Sequence, residues 1–493
     1  MDKNVGDILY VLSCHLFPFK RIRRRTMIDF KAEVEKRKDE ILEDLISILR
    51  INSERDDSQA DETHPFGPGP VKALEHFLAM AERDGYKTRN IDNYAGDFEF
   101  GEGEEVLGIF GHLDVVPAGA GWDTDPYEPV VKDDRIYARG SSDDKGPTIA
   151  CYHALKIIKD LGLPVSKKVR FIVGTDEESG WGDMDYYFAH NGLKDPDFGF
   201  SPDAEFPIIN GEKGNITEYL HFGGENDGAF VLHSFKGGLR ENMVPESATA
   251  IISTTREFNI FEAEFDQYIK RKQVKGDISK DGDKIKVTIH GKSAHGSTPE
   301  LGINGATLLA RYLSRYAFNK EAEAYLRLAG HQLHEAFDAK KFGMAYSDEK
   351  MGALSMNAGV FSFDKESNDN TIALNFRYPK GIDAFVLKAG LEKLKGVREV
   401  TLSEHEHTPH YVPMDDELVS TLLSVYEKQT GLKGFEQIIG GGTFGRLLER
   451  GVAFGAMFPG DENTMHQANE YMPLENIYRS AAIYAEAIYE LIK

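Results

Sequence analysis

An apolar run that ends in a histidine and an aspartate constrains this chain more than any other feature. From Val106 to Pro117 it reads Val-Leu-Gly-Ile-Phe-Gly-His-Leu-Asp-Val-Val-Pro, which predicts a buried strand ending at His112 and Asp114. Side chains two positions apart lie on one face of a strand, so both groups can point into one site. A metal-bound imidazole usually donates its other N–H to an acceptor, and Asp114 is placed to accept it. The same pattern also occurs as a hydrogen-bonded loop pair, so a metal site needs further ligands elsewhere.

The charge balance and the cysteine count exclude several classes of protein. The 493 residues include 58 Lys and Arg against 81 Asp and Glu, a formal net charge of −23. This acidity argues against nucleic acid or an anionic membrane as a partner. Only Cys14 and Cys151 are present, which fits a reducing compartment and excludes a disulfide framework or a thiolate zinc site. No run approaches the ~20 apolar residues of a membrane span.

The order of the predicted elements divides the chain into two interleaved parts. Strands alternate with amphipathic helices over residues 27–211, which indicates an α/β fold with parallel strand pairs. Residues 212–406 contain strands of alternating polarity and read as a large inserted α+β domain. Residues 407–493 add helices that return to the first domain. The fold class that we predict is therefore α/β, with one discontinuous domain over 27–211 and 407–493.

Residues 1–26 differ from the rest of the chain in how apolar and basic residues are arranged. An apolar stretch over Ile8–Phe19 is followed by the basic run Lys20–Arg25, whereas a signal peptide has its positive charge before the apolar core. We predict a disordered N-terminal extension, with Met27 opening a segment typical of a cytoplasmic protein. A membrane-surface anchor is the alternative.

Three further acidic motifs follow predicted strands. Asp143 and Asp144 lie in a tight loop before a helix, Asp176-Glu-Glu178 ends a strand, and Asp203 follows another. Open α/β sheets form their sites at the carboxyl ends of strands, where this much negative charge would need cations. Carboxylates with a few imidazoles suit zinc or manganese. Taken singly, the Asp pair can be a helix cap and the Glu pair a solvated face.

Together these residues resemble a known family, the co-catalytic zinc exopeptidases and deacylases. That family includes aminoacylase, succinyl-diaminopimelate desuccinylase, carboxypeptidase G and the carnosinase-type dipeptidases. The resemblance runs from about Met27 to Lys493 in consistent order, through the motifs Gly111-His-Leu-Asp-Val-Val-Pro117, Arg139-Gly-Ser-Ser-Asp-Asp-Lys-Gly146, Thr175-Asp-Glu-Glu-Ser179, Ser201-Pro-Asp-Ala204, Gly291-Lys-Ser-Ala-His-Gly-Ser-Thr-Pro299 and the late His466. The long insert, Asn375-Phe-Arg-Tyr-Pro379 and Gly440-Gly-Gly-Thr443 are similar to the bacterial dipeptidase V branch.

The resemblance implies a catalytic domain with a mixed, mostly parallel sheet, an inserted lid domain, and two zinc ions that manganese or cobalt can replace. It implies that Asp143 bridges the two ions. His112 and Asp203 would complete the coordination of one ion, and Glu178 and His466 would complete that of the other. Glu177 would be the general base for the hydroxide shared by the ions, and Asp114 would orient His112. The family also has a cis peptide between the residues equivalent to Asp143 and Asp144.

The resemblance also implies roles for residues of the lid. His295 would donate a hydrogen bond to the oxyanion formed on the amide carbonyl, and Asn242 would supply another. Arg377 would hold the C-terminal carboxylate of the substrate through two parallel hydrogen bonds. Backbone N–H groups around Gly441 and Gly442 would assist it.

The function that we predict is a metal-dependent dipeptidase acting on free dipeptides, including β-alanyl ones. An N-acyl amino-acid deacylase or desuccinylase with the same metal site is the close alternative, and a non-catalytic zinc-binding protein is the alternative from another class. We expect a cytoplasmic monomer whose partner is a small peptide, because the long insert resembles an internal substitute for the dimer partner of smaller relatives. The histidine-rich run Glu404–His410 is interpreted as a decoy, since the site already has its ligands.

Overall fold

A six-stranded sheet lies at the centre of the first domain. The computed structural model describes residues 28–493, so the extension predicted for residues 1–26 lies outside it. The spatial order of the strands is Thr88–Ile91, Ala95–Phe100, Lys168–Gly174, Val106–His112, Phe198–Ser201 and Gly451–Ala453. The last four are mutually parallel, and the first two form an antiparallel hairpin at the edge. The predicted mixed, mostly parallel sheet is confirmed.

Helices cover both faces of this sheet. One face carries Ile109 and Phe171 into a large apolar core, together with the helices Phe30–Glu35, Lys38–Leu49, Pro68–Arg83, Lys145–Asp160, Glu417–Thr430 and Leu474–Ile492. The other face places Phe110 and Ile172 against the helix Gly182–His190. A strand buried on both faces reads as an apolar run, which explains the sequence before His112. Within residues 28–493, no helix is long and apolar enough to cross a membrane.

A second, antiparallel sheet of eight strands builds the lid. Its spatial order is Lys275–Asp281, Lys284–His290, Ser247–Thr254, Phe230–Gly237, Ser355–Asp364, Asn370–Tyr378, Gly214–Phe222 and Glu399–Leu402. Its buried side chains form an apolar core of their own with the helices Phe258–Lys272, Gly305–Leu313, Lys320–Arg327 and Ala384–Leu391. Two cores fit the inserted-domain prediction, and the boundaries at residues 212 and 406 stay a prediction.

Both chain connections between the two sheets pass through one small ladder, here called the junction ladder. Gly211–Glu212, where the chain leaves for the lid, pairs antiparallel with His410–Tyr411, where it has returned. Ile438–Ile439, just before the glycine-rich run, pairs with Gly211–Glu212 in parallel. The lid and the glycine-rich run are therefore joined at the same place.

Short strands outside the two large sheets complete the fold. The strand Arg135–Tyr137 joins Val130–Lys132 and Tyr471–Pro473 in a separate small sheet. The remaining short pairs join Ala204–Glu205 to Ala456–Met457 and Ser347–Asp348 to Gly352–Ala353. The edge hairpin of the large sheet was not predicted, because its strands carry few of the apolar and β-branched residues typical of strands.

Candidate metal centre and substrate cleft

His112 ends its strand fully buried, with two carboxylates in front of its ring. The Nε2 atom lies 3.2 Å from Asp143 Oδ1 and 3.6 Å from Asp203 Oδ2. Asp203 follows the neighbouring parallel strand Phe198–Ser201, so the two groups meet at the carboxyl edge of the sheet. The structure thus brings together the three residues predicted to hold one metal ion.

Asp143 faces a second imidazole through its other oxygen. Asp143 Oδ2 lies 2.9 Å from His466 Nε2, and the same nitrogen lies 3.1 Å from Glu178 Oε1. One carboxylate therefore contacts two histidines through different oxygens, as a ligand that bridges two ions must. The peptide bond between Asp143 and Asp144 is cis.

Asp114 holds both the imidazole and the Glu177-Glu178 segment. Its Oδ1 lies 3.4 Å from His112 Nδ1, and its two oxygens accept the backbone N–H groups of Glu177 and Glu178, both at 3.1 Å. The backbone carbonyl of Asp114 lies closer to His112 Nδ1, at 3.1 Å, so the ring is held by both groups of Asp114, while the carboxylate sets the direction of the two glutamates. These contacts fit the orienting role predicted for Asp114, which stays a prediction, and the two backbone hydrogen bonds were not part of it.

Two carboxylates missed by the sequence analysis hold the other loops of the centre. Asp183 accepts the backbone N–H groups of Thr175 and Asp176, at 2.7 and 2.9 Å, so four consecutive amides are held by two side chains. Glu470, fully buried, contacts the loop that carries Asp143 through the side chain of Arg139 and the backbone N–H groups of Gly140, Ser142 and Asp143. No local motif points to either residue, because their partners are backbone groups.

The described part of the chain supplies no Lys or Arg to balance the carboxylates of this centre. Burial, together with neighbouring carboxylates, raises the pKa of Glu177 and Asp203, and it raises the pKa of Glu178 to about 7. Although burial opposes it, hydrogen bonds to Asp143 and Glu178 raise the pKa of His466 to about 11. Within residues 28–493, no Lys or Arg forms an ion pair with the three predicted carboxylate ligands or with the predicted base. These four residues are Asp143, Glu178, Asp203 and Glu177. Two imidazoles and four carboxylates without a cationic side chain fit the binding of two divalent cations.

A cleft of about 410 Å³ opens in front of this centre, and residues of the lid form its opposite wall. Glu177 of the first domain lines it together with His295, Asn242 and Arg377 of the lid. The backbone carbonyl of Asn242 accepts the N–H of Gly296 at 2.6 Å, which fastens the loop of His295 to the segment of Asn242. All the predicted lid residues therefore share one cleft with the predicted base.

The hydrogen bonds of His295 favour one tautomer. Its Nδ1 lies 2.7 Å from the Ser297 hydroxyl and accepts the backbone N–H of Ser297 at 3.3 Å, an arrangement that places the ring proton on Nε2. Burial and the nearby positive charges of Arg377 and His466 lower the pKa of His295 to about 4, which keeps the ring neutral near pH 7. His295 thus presents a neutral N–H donor, as an oxyanion partner must.

Arg377 carries a charge that no carboxylate among residues 28–493 pairs with. Its Nε donates to Asn375 Oδ1 at 3.1 Å and its Nη1 to the carbonyl of Gly440 at 2.7 Å. Among the described residues no carboxylate pairs with it, and burial with the nearby Arg446 lowers its pKa to about 10. The guanidinium is still charged near neutral pH and is free to bind an anion. Gly441 and Gly442 line the cleft beside it.

Comparison with known proteins agrees with this arrangement. The family model described as Peptidase family M20/M25/M40 matches residues 108–490. The chain belongs to this family. It is therefore a peptidase, and the family resemblance inferred from its motifs is confirmed.

Relatives and solved structures match the chain over nearly its whole length. A Beta-Ala-Xaa dipeptidase of Lactobacillus delbrueckii subsp. lactis is 43% identical over 471 residues, which are 94% of this chain and 99% of the relative. Human carnosine dipeptidase 1 superposes with a TM-score of 0.54 at 15% identity, covering 94% of this chain and 99% of the other. A di-peptidase of Saccharomyces cerevisiae gives a TM-score of 0.53 at 14% identity, covering 94% and 98%. At these identities the two structures show a shared fold.

The cleft also contains residues that the sequence analysis left out. Asn215, Trp181 and Arg446 line it, and the ring of Trp181 meets that of His407 edge to face at 4.6 Å. His407 belongs to the run interpreted as a decoy. No group of potential metal ligands within residues 28–493 includes that run, but His405 and His407 do form part of the cleft wall.

One other group of potential ligands lies away from the cleft, on the helices Lys38–Leu49 and Lys145–Asp160. It consists of Glu40, Asp44 and His153. Arg83 donates to both oxygens of Asp44, at 2.7 and 2.8 Å, so the charge of this group is already balanced. We assign it a structural role.

Proposed function

We propose that this chain is a metal-dependent dipeptidase that hydrolyses free dipeptides, including β-alanyl ones. The observation that carries the proposal is one cleft lined both by Glu177 with the carboxylate cluster and by Arg377, which pairs with no carboxylate among residues 28–493. A guanidinium that holds the C-terminal carboxylate sets how far away the scissile carbonyl lies. Only a substrate with one residue beyond that carbonyl then fits, which dipeptides and N-acyl amino acids both have. The name of the Lactobacillus relative, Beta-Ala-Xaa dipeptidase, supports the same substrate class.

The residues divide the chemistry between the two walls of the cleft. Two divalent cations, which we propose to be zinc with manganese or cobalt as substitutes, would lower the pKa of a water molecule and polarise the scissile carbonyl. His112, Asp143, Glu178, Asp203 and His466 would hold them. Glu177 accepts the proton of the attacking water and hands it to the leaving amine.

The lid supplies the remaining interactions. The Nε2–H of His295 donates to the oxygen on which negative charge develops, and Asn242 lies beside it as a second donor. Replacing His295 with Ala should leave the metal content unchanged and lower kcat by about 10²–10³-fold. His290→Ala, at an exposed position of the preceding lid strand, is the matched control. Near-normal turnover by His295→Ala would exclude the role.

The substrate class is tested with three peptides. The purified protein, reloaded with zinc or manganese, is given a free dipeptide, its N-acetylated form and the matching tripeptide, and released amino acids are quantified. Cleavage of the free dipeptide alone supports the proposal. Preference for the acetylated form would assign a deacylase with the same metal residues, and turnover of none would favour a non-catalytic zinc-binding protein.

We further propose that the enzyme acts as a cytoplasmic monomer. Asn242, His295 and Arg377 reach the cleft from the same chain as Glu177, so no residue of a second chain is needed to complete it. The two cysteines of the sequence fit a reducing compartment. Light scattering on an active sample, and fractionation of cells that produce the protein, test the two proposals. A dimer whose dissociation abolishes activity, or activity in the extracellular fraction, would contradict them.

A further inference from the structure

A row of polar side chains crosses the end of the lid sheet at the cleft. Asn215 lies directly opposite Arg377 on the adjacent antiparallel strand, and its backbone pairs with His407 on the other side. Directly opposite residues of an antiparallel pair point their side chains to the same face. Asn215 and Arg377 therefore face the cleft as neighbours, and both line it.

The arginine fixes the orientation of two amides in succession. Arg377 Nε can only donate, so the atom of Asn375 that lies 3.1 Å from it is the carbonyl oxygen Oδ1. The amide nitrogen of Asn375 then faces Asn215 at 2.8 Å and Thr217 Oγ1 at 3.0 Å. Because that nitrogen donates, the atom of Asn215 that meets it is Oδ1. The NH₂ group of Asn215 must point the other way.

Two donors of this row are left without a protein partner. Within residues 28–493, neither Asn215 Nδ2 nor Arg377 Nη2 donates a hydrogen bond to another group. Asn215 is half-buried and lines the cleft, so its side chain is accessible to a bound substrate. An amide NH₂ and a guanidinium NH₂ on adjacent strands match the two oxygens of one carboxylate.

We propose that Asn215 is a further substrate-binding residue, and that its NH₂ group and Arg377 together hold the C-terminal carboxylate of the substrate. This inference rests on the proposed function. Asn375 is a positioning residue, because it transmits the fixed donor direction of Arg377 to Asn215. The pair explains why an asparagine stands two residues before the arginine in Asn375-Phe-Arg-Tyr-Pro379.

The test compares a free dipeptide with its C-terminal amide, which keeps the scissile bond and removes the negative charge. In the wild type, kcat/KM should favour the free acid. Asn215→Ala should lower kcat/KM for the acid by about 10–100-fold, mostly through KM, because a hydrogen bond to a charged group is lost. The decrease in kcat/KM for the amide should be several-fold smaller, so the ratio of kcat/KM for the acid to that for the amide falls.

An isosteric variant separates binding from folding. Asn215→Asp keeps the acceptor for Asn375 and turns its second oxygen to the cleft, where it repels a carboxylate and accepts from an amide. The preference should then invert in favour of the amide. Asn368→Ala, at the exposed turn between two lid strands, is the matched control and should leave kcat/KM unchanged for both substrates.

The outcomes distinguish this inference from the function on which it rests. An unchanged ratio of acid to amide in Asn215→Ala, with a collapsed ratio in Arg377→Ala, would overturn the role of Asn215 and leave the dipeptidase intact. If the wild type cleaves only acylated amino acids, the ratio is measured on those acids and their amides, with the same expectation. A wild type without preference for the acid would overturn the inference.

Discussion

At the residue scale, two adjacent glutamates are separated in role by what each one meets. Both line the cleft, but Glu178 lies 3.1 Å from His466, whereas Glu177 forms no ion pair with a histidine among residues 28–493. Glu177→Ala should retain both metal ions and lose several orders of magnitude in kcat, since it removes the proton acceptor alone. Glu178→Ala should lose metal. Metal analysis and turnover on the same samples check both, and metal loss in Glu177→Ala would mean that the two roles are swapped.

Also at the residue scale, Glu470 determines where Asp143 lies without reaching the substrate. In Glu470→Gln one oxygen becomes an NH₂ group that faces backbone N–H donors. We expect metal affinity to fall by about 10–100-fold, the usual effect of removing a group that orients a ligand. Competition with a chelator measures it, with the exposed Glu475→Gln as control. Equal affinity in both variants would contradict the role.

At the element scale, the lid strand Gly214–Phe222 carries a buried acid that destabilises it. Neither oxygen of Glu218 has a hydrogen-bond partner among the described residues, and burial raises its pKa to about 8. The folded chain then keeps a proton that the unfolded chain releases, so stability falls as pH rises from about 4.5 to 8. A pKa shift of this size corresponds to roughly 4–5 kcal/mol of stability.

The corresponding variant is Glu218→Gln. It should be more stable than the wild type at pH 8 and equal to it at pH 4, because its neutral amide does not titrate. Unfolding by denaturant at both pH values checks this, beside the exposed control Glu366→Gln. A stability gain of the same size at both pH values would exclude the titration of Glu218 as the cause.

At the scale of the whole molecule, the metal centre ties together segments far apart in sequence. His112, Asp143, Glu178, Asp203 and His466 come from both halves of the first domain. Without cations their carboxylates repel one another, so a chelator should abolish activity and lower the melting temperature by several degrees. Added zinc should restore both. His466→Ala, which lacks one ligand, should show a smaller fall, and an unchanged melting temperature of the wild type would contradict a metal-stabilised fold.

Some residues around the metal centre could be predicted from the sequence and others could not. Strand ends such as His112 and Asp203 were predictable, because a buried parallel strand is an apolar run and its polar terminus follows at once. Asp183, Glu470 and Asn215 were not, because their partners are backbone groups or amides distant in sequence. The roles of the predicted metal, base and lid residues stay predictions, although the structure collects them around one cleft.

The junction ladder gives the molecule a mechanical property. Both chain crossings to the lid and the strand before the glycine-rich run share the backbone hydrogen bonds of Gly211–Glu212. Arg377, on the lid, is also bonded to the carbonyl of Gly440. A rotation of the lid would thus twist the ladder and displace the glycine-rich run at the same time. Opening of the lid and release of the product carboxylate from Arg377 and the glycine-rich run would therefore occur in the same movement.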